Sequence, residues 1–245
     1  MSALEPFWAV HVADGQLDTR LCLSGWLAAS VLVVLALRKT EPNDISRIAV
    51  LSAVFFLASL LHVPTFVGAR THLLLTGLLG ILLGWQSLLA IGCGLALQAI
   101  LFSHGGFFSL GINLLVMGIP ALICGQVFRL WIRAKITNSE LLTSKSLRVP
   151  SFATGALSVL LVSSFYGLAL ISGGVADWWP QIIATWIIHL PIALLEGFLC
   201  AGVVDFQLKV APETLLGEPY SKAPREMKSE SDLKLTPPVE ANPQA

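Results

Sequence analysis

The amino-acid sequence predicts an all-α integral membrane protein of about seven transmembrane helices, with its N-terminus outside and its C-terminus in the cytoplasm. Composition is the first reason. Of 245 residues, 55% are hydrophobic and 12% are charged, at a mean hydropathy of +0.78, whereas a soluble domain carries about 25% charged residues. The second reason is that the apolar residues fall in runs long enough to cross a bilayer, and the third is that most lysines and arginines gather at one set of run ends. The formal net charge of zero says nothing by itself about a nucleic-acid partner, because the charges are segregated along the chain; membrane lipid, and no nucleic acid, is the expected surrounding.

A helix needs roughly 20 mostly apolar residues to cross about 30 Å of hydrocarbon. Runs near that length lie at 21–37, 46–63, 73–84, 86–103, 107–130, 150–172 and 180–206. The third is short and only Gly84-Trp85 parts it from the fourth, which makes the pair a tight hairpin or one broken element. Gly80 and Gly84 form a GxxxG spacing, which allows helix backbones to approach closely. Segment 1–20 is read as an outer N-terminal piece, 21–208 as the helical bundle, and 209–245 as a disordered cytoplasmic tail. From about Ala211 the composition turns to Pro, Glu, Ser and Lys, too polar to bury a core.

Seven crossings separate the termini, and charge sets the direction. Arg38, Lys39, Arg47, Arg129, Arg133, Lys135, Lys145, Arg148, Lys209, Lys222, Arg225, Lys228 and Lys234 fall on one side, against Arg20 and Arg70 on the other. The positive-inside rule makes the first side cytoplasmic. The chain is therefore expected to be a multi-pass protein of the bacterial inner membrane. Arg38-Lys39 follow the first apolar run instead of preceding it, which argues against a cleavable signal peptide. Cys22, Cys93, Cys124 and Cys200 are dispersed in apolar runs with no CxxC pair, as expected of small buried hydrophobes.

This orientation brings three histidines to one face: His11 in the outer N-terminal segment, His72 at the outer mouth of the third run, and His104 in the outer turn HGGF. Neutral imidazole is the commonest protein ligand for Ni, Cu, Zn and similar ions, so the trio reads as a metal entry site. In HVADG, Asp14 offers an oxygen ligand or a hydrogen-bond acceptor behind the ligands, although an Asp here is more often a turn former, and Gly15 permits a tight turn. The glycines of HGG allow close backbone approach whether or not metal binds. His62 sits near the outer end of the second run, and His189 lies about 13 Å inside the seventh at 1.5 Å per residue.

Glu196 follows His189 by seven residues, on nearly the same helix face, which allows an interior polar stripe with Gln86, Gln98 and Asn113 as candidate partners. No HExxH, GxSxG or phosphate-cradling loop is present. An intramembrane metalloenzyme needs an open coordination position and a general base near the metal. Glu196, roughly 24 Å down its run from the outer face by helix rise, is expected to be too distant to serve.

These residues, in order, resemble the cobalt and nickel substrate-binding components (CbiM/NikM type) of energy-coupling-factor importers. HVADG is similar to that family's opening Met-His-Ile-Pro-Asp/Glu-Gly, and VPTFVGARTHLLLTGLLGILLG to its histidine loop and following helix. QAILFSHGGFFSLGINLLVMGIP resembles its Gln-Ala…His-Gly-Gly…Leu-Gly-x-Asn…Met stretch, and LPIALLEGFL its late Pro-x-Ala-x-x-Glu-Gly. Together they cover about residues 10–206.

The resemblance implies a membrane subunit without its own ATPase or resident cofactor. It would bind Co²⁺ or Ni²⁺ as transported substrate and pass it on through a transmembrane coupling (T) subunit driven by cytoplasmic ATPase subunits, in some cases with a small accessory membrane subunit. It also implies a metal site made of the amino-terminal nitrogen, the next backbone nitrogen and the imidazole of an opening Met-His, closed by one further histidine. His11 and His72 match the two imidazoles. Here ten residues precede His11 and Leu73 replaces the family's proline after His72. Either the site is rebuilt from His11, His72, His104 and Asp14, or translation starts at a GTG codon for Val10, restoring Met-His-Val-Ala-Asp-Gly. A stand-alone metal channel is the remaining alternative to an importer component or an enzyme.

Overall fold

The computed structural model describes residues 10–64, 70–137, 142–212 and 215, the side chains of 62–64 and 70 excepted. Its α-helices are α1 (Thr19–Leu37), α2 (Ile45–Leu60), α3 (Thr76–Leu83), α4 (Ser87–Phe102), α5 (Leu110–Thr137), α6 (Ser144–Gly173) and α7 (Trp179–Val210), with 3₁₀ turns at Pro42–Asp44 and Gly84–Gln86. Two short antiparallel strands, β1 (His62–Pro64) and β2 (Arg70–His72), pair between α2 and α3 with His62 opposite His72.

Six segments among the described residues are long and apolar enough to cross a membrane: Thr19–Leu37, Pro42–Leu60, Thr76–Phe102, Leu110–Thr137, Ser144–Gly173 and Trp179–Val210. Six segments meet that length where seven runs were expected, because the third run contributes only the eight-residue α3, about 12 Å long by helix rise, and is counted together with α4. The chain nevertheless reverses between α3 and α4. A Cβ added to Gly80 would meet the Ala121 carbonyl at 2.0 Å and one at Gly84 the Arg129 guanidinium at 2.7 Å, so α3 runs the same way as α5. Beyond Gly84, Leu88 reaches Gly118 and then Gly92 faces Leu114, so α4 runs back the other way. The reversal is local chemistry: Gly84 has φ +59°, a conformation only glycine adopts at little cost. The Arg129 guanidinium donates to Ile81 O in the last turn of α3. Of the two glycines, Gly80 makes the backbone contact, against Ala121 and Gly125.

Every residue of α3 is buried, and the core lies where α3 meets α5 and α6. Outward faces carry large apolar side chains, among them Leu27, Val149 and Phe198, each about 70% exposed or a little more or less (71%, 74% and 69%). Patches of that extent mark contact with lipid or protein instead of water. Cys22, Cys124 and Cys200 are buried, Cys93 is exposed, and all four are free thiols.

The two ends of the bundle differ in charge. At one end Asp18 N–H donates to Gly173 O, joining the start of α1 to the end of α6. At the other, the Asp205 carboxylate accepts from Ser144, joining the end of α7 to the start of α6. Segment 10–18 and Val210 therefore sit at opposite ends. Arg38, Lys39, Arg47, Arg129, Arg133, Lys135, Lys145, Arg148 and Lys209 belong to the helix termini and turns of the α7 end. Most of the tail expected at 209–245 lies outside the described residues, and α7 itself continues as helix through Lys209 to Val210.

Candidate metal centre

The N-terminal segment is inserted into the bundle. Val10 and Val12 are fully buried on either side of His11, which is 6% exposed. Asn113 of α5 holds this segment as a neighbouring strand would: its Oδ1 accepts from Val12 N–H at 2.8 Å and its Nδ2 donates to Val12 O at 2.9 Å. The same Nδ2 donates to Gly105 O at 2.7 Å, so one amide ties the segment carrying His11 to the turn carrying His104.

Asp14 completes the tie. Its carboxylate accepts from Phe107 N–H (3.0 Å), Phe108 N–H (3.1 Å) and Ser109 N–H (2.8 Å), with the Ser109 hydroxyl at 3.0 Å. These donors immediately precede α5, where an anion is favoured by the exposed N–H groups and the helix dipole. Burial alone raises the Asp14 pKa, but the bonds from Phe108, Ser109 and Phe107 outweigh it and hold the carboxyl below its usual range. Of the roles open to Asp14, the structure displays that of an acceptor holding a turn: both oxygens are engaged by the HGGF turn, and Asp14 is not in the group that converges below. The glycines of the turn are explained by the same contact. Gly105 and Gly106 have φ +84° and +68°, and a Cβ at Gly106 would fall 2.2 Å from Asp14 Oδ1.

His72 arrives from the other side. Its Nδ1 lies 2.9 Å from Leu73 O. A carbonyl only accepts, so Nδ1 carries the proton and Nε2 presents its lone pair. That Nε2 lies 3.2 Å from His11 Nε2. Two nitrogens about 2.1 Å from one ion would be about 3.0 Å apart at a right angle and about 3.4 Å apart in a tetrahedron, so this spacing, that of an N–H···N hydrogen bond without an ion, is also compatible with two ligands of one metal. The His104 ring is 4.7 Å from that of His11 and 5.8 Å from that of His72, centroid to centroid. Ligand atoms of all three lie within 4.8 Å of one another. Burial, followed by the neighbouring His104, His72 and His189, holds the His11 pKa well below 6.5. The imidazole is therefore deprotonated and ready to ligate at neutral pH.

The interior polar groups take other roles than the expected stripe. Glu196 Oε1 accepts from Leu74 N–H and, at 2.8 Å, from Leu75 N–H. Leu75 itself is left-handed, at φ 51°. The chain after His72 therefore descends into the bundle to meet Glu196, and the separation expected from helix rise along α7 fails because it ignored this descent. Proximity does not make Glu196 a free base, since that oxygen is engaged by two backbone donors. His189 is fully buried, with Nδ1 2.8 Å from Thr185 O and Nε2 3.5 Å from the Thr71 hydroxyl, so it backs β2 and does not join the trio. The His62 side chain lies outside the described residues.

Neither Gln86 nor Asn113 pairs with His189 or Glu196: Gln86 donates to Lys39 O and Asp44 in the turn after α1, and Asn113 is engaged with Val12 and Gly105. Sequence reading missed the tying role of Asn113 and the clamping role of Glu196. The available signal was that both lay inside the recognisable motifs. Residues 1–9, on which the alternative start at Val10 bears, lie outside the described residues.

Three imidazoles from distant parts of the chain, two buried and one half-buried, form a nitrogen-rich site suited to borderline divalent ions. Comparison with known proteins points the same way. Residues 11–214 match the family model CbiM, the cobalt uptake substrate-specific transmembrane region. The chain belongs to the CbiM family. A Haemophilus influenzae relative named for metal transport is 30% identical over 206 residues, covering 84% of this chain and 97% of that protein. A cobalt transport protein CbiM from Kyrpidia tusciae is 29% identical over 222 residues, covering 85% and 87%. A crystal structure of a transition metal transporter shares the fold, with a TM-score of 0.62 at 24% identity over 84% of this chain and 96% of that one. As a CbiM-family member, this chain is a multi-pass membrane component for metal uptake, and its histidine trio lies within the matched region.

Proposed function

We propose that this chain is the substrate-binding membrane component of an energy-coupling-factor importer, capturing Co²⁺ or Ni²⁺ from outside through His11, His72 and His104. The observation that carries the reading is the convergence of three imidazoles from three separate segments to within 4.8 Å. Asp14 acts through the HGGF turn that it holds. Because the cation-rich end lies opposite the histidines, the positive-inside rule turns the trio outward and places the C-terminus in the cytoplasm. The reversal at Gly84 gives α3 a partial pass of its own, so that with it the chain makes seven passes and its termini face opposite sides.

With no nucleotide-binding motif in the sequence, uptake against a gradient has to be driven by other subunits: a transmembrane coupling subunit and cytoplasmic ATPase subunits, with or without a small accessory membrane subunit. The metalloenzyme reading is disfavoured by the engagement of Glu196 with Leu74 and Leu75. Uptake of ⁵⁷Co²⁺ and ⁶³Ni²⁺ in cells expressing this chain, with and without the coupling and ATPase subunits, tests the proposal. Uptake should require all of them. Undiminished uptake by this chain alone would establish a channel instead.

A further inference from the structure

Beside the trio lies a cavity of about 610 Å³ that is lined by His11 and His104 and, farther round, by Gln16, Gln98, Ser103 and Gln181. Among the described residues, no Asp, Glu, Lys or Arg lines it. A water molecule occupies about 30 Å³, so the space far exceeds that needed by a bare ion. Apart from the histidines themselves, one lining group stands out. Gln98 is 1% exposed, yet both its amide atoms, Oε1 and Nε2, are buried with no hydrogen-bond partner among the described residues. A buried polar group left unsatisfied destabilises the fold, so a partner is expected for it. Three neighbouring polar side chains are satisfied: Asn113 by Val12 and Gly105, Asp14 by residues 107–109, and Gln181 by a bond from its Nε2 to the Tyr166 hydroxyl.

The two observations complete one another. Three imidazoles fill only part of the coordination sphere of a first-row divalent ion, and the cavity that His11 and His104 line is the space beside them in which its other positions could be filled. A metal-bound water has committed a lone pair to the ion and is a strong hydrogen-bond donor, so it requires an acceptor. A neutral amide supplies that acceptor in Oε1, and its Nε2–H groups can serve a further water, without adding charge to a buried site. We propose that the ion is captured partly hydrated, with its remaining aqua ligands in this cavity and hydrogen-bonded to the Gln98 amide. Capture then exchanges only some of the ion's water for imidazole, and Gln98 selects for ions that retain oxygen ligands alongside nitrogen. This inference rests on the reading of the trio as a metal site.

The test is titration of the purified full-length chain in detergent with CoCl₂ alone, following both affinity and the visible absorption of the bound ion. The wild-type protein should show the weak bands of five- or six-coordinate Co²⁺. Gln98→Met, similar in size but without an acceptor for a metal-bound water, should bind about 10- to 100-fold more weakly and shift toward the intense bands of four-coordinate Co²⁺. Unchanged affinity and spectrum in that variant would overturn the inference while leaving the metal site intact. Failure of the wild-type chain to bind Co²⁺ would overturn the metal reading itself, and this inference with it. Should Gln98→Met not fold, Gln98→Glu decides, because it retains acceptor oxygens: affinity at or above wild type supports the role, and weaker binding overturns it.

Discussion

Replacing Glu196 by alanine should damage the metal site without touching any of its imidazoles. The carboxylate oxygen holds the N–H groups of Leu74 and Leu75, two and three residues after His72, and these leucines are 0% and 8% exposed. Alanine leaves both donors without their acceptor, at about 1–3 kcal/mol each, for a total of about 2–6 kcal/mol. It also removes the contact that offsets the left-handed conformation of Leu75, itself worth about 1–2 kcal/mol. A segment so destabilised relaxes most cheaply by moving the connector, and His72 moves with it. Glu196→Gln keeps an acceptor at the same place and should cost at most about 2 kcal/mol. The assay pairs thermal unfolding in detergent with Co²⁺ titration. Glu196→Ala should unfold at clearly lower temperature and bind about 10- to 100-fold more weakly, with Glu196→Gln close to wild type in both. A Glu196→Ala protein with wild-type affinity, or a glutamine variant as impaired as alanine, would refute the clamping role.

His72→Ala should abolish metal retention in equilibrium dialysis while the protein still inserts in membranes, and His104→Ala should weaken binding by at least tenfold if it ligates directly. The apoprotein should lose thermal stability as pH falls. His11 has its pKa held below 6.5 in the folded state, so below about pH 6.5 the unfolded chain binds a proton that the folded chain refuses. Above that pH this residue contributes no slope, and His11→Ala should flatten the acid limb of a melting series from pH 7.5 to 5. For orientation, with the four native cysteines removed, a cysteine at Asp177 should react with an impermeant thiol reagent in intact cells, and one at Asn43 should be protected.

Much of this architecture was legible in the residues, for reasons that also mark where reading stopped. Apolar runs separated by turns report helices because the bilayer demands length, and the histidine trio followed from counting lysines and arginines. Run length carries no information on chain direction, however. Residues 73–84 read as a short span that either turns back at Gly84-Trp85 or belongs to one broken element; hydropathy does not choose between the two, and it does not reveal that the chain enters through a left-handed Leu75. Asp14 beside His11 looks the same in sequence whether it binds a metal or accepts bonds from Phe107, Phe108 and Ser109, more than ninety residues away. Glu196 was set apart from the site because helix rise measures depth along α7 only, while the residues that it holds come down to meet it.

X-ray absorption of the Co²⁺-loaded wild-type chain tests the central claim most directly, since it reads the ligands of the ion itself. The account predicts a first shell of nitrogen and oxygen only, at about 2.0–2.1 Å, with outer-shell scattering from three imidazoles that falls when His72 is replaced by alanine. A loaded ion without imidazole scattering, or with a spectrum unchanged in the His72→Ala protein, would contradict it.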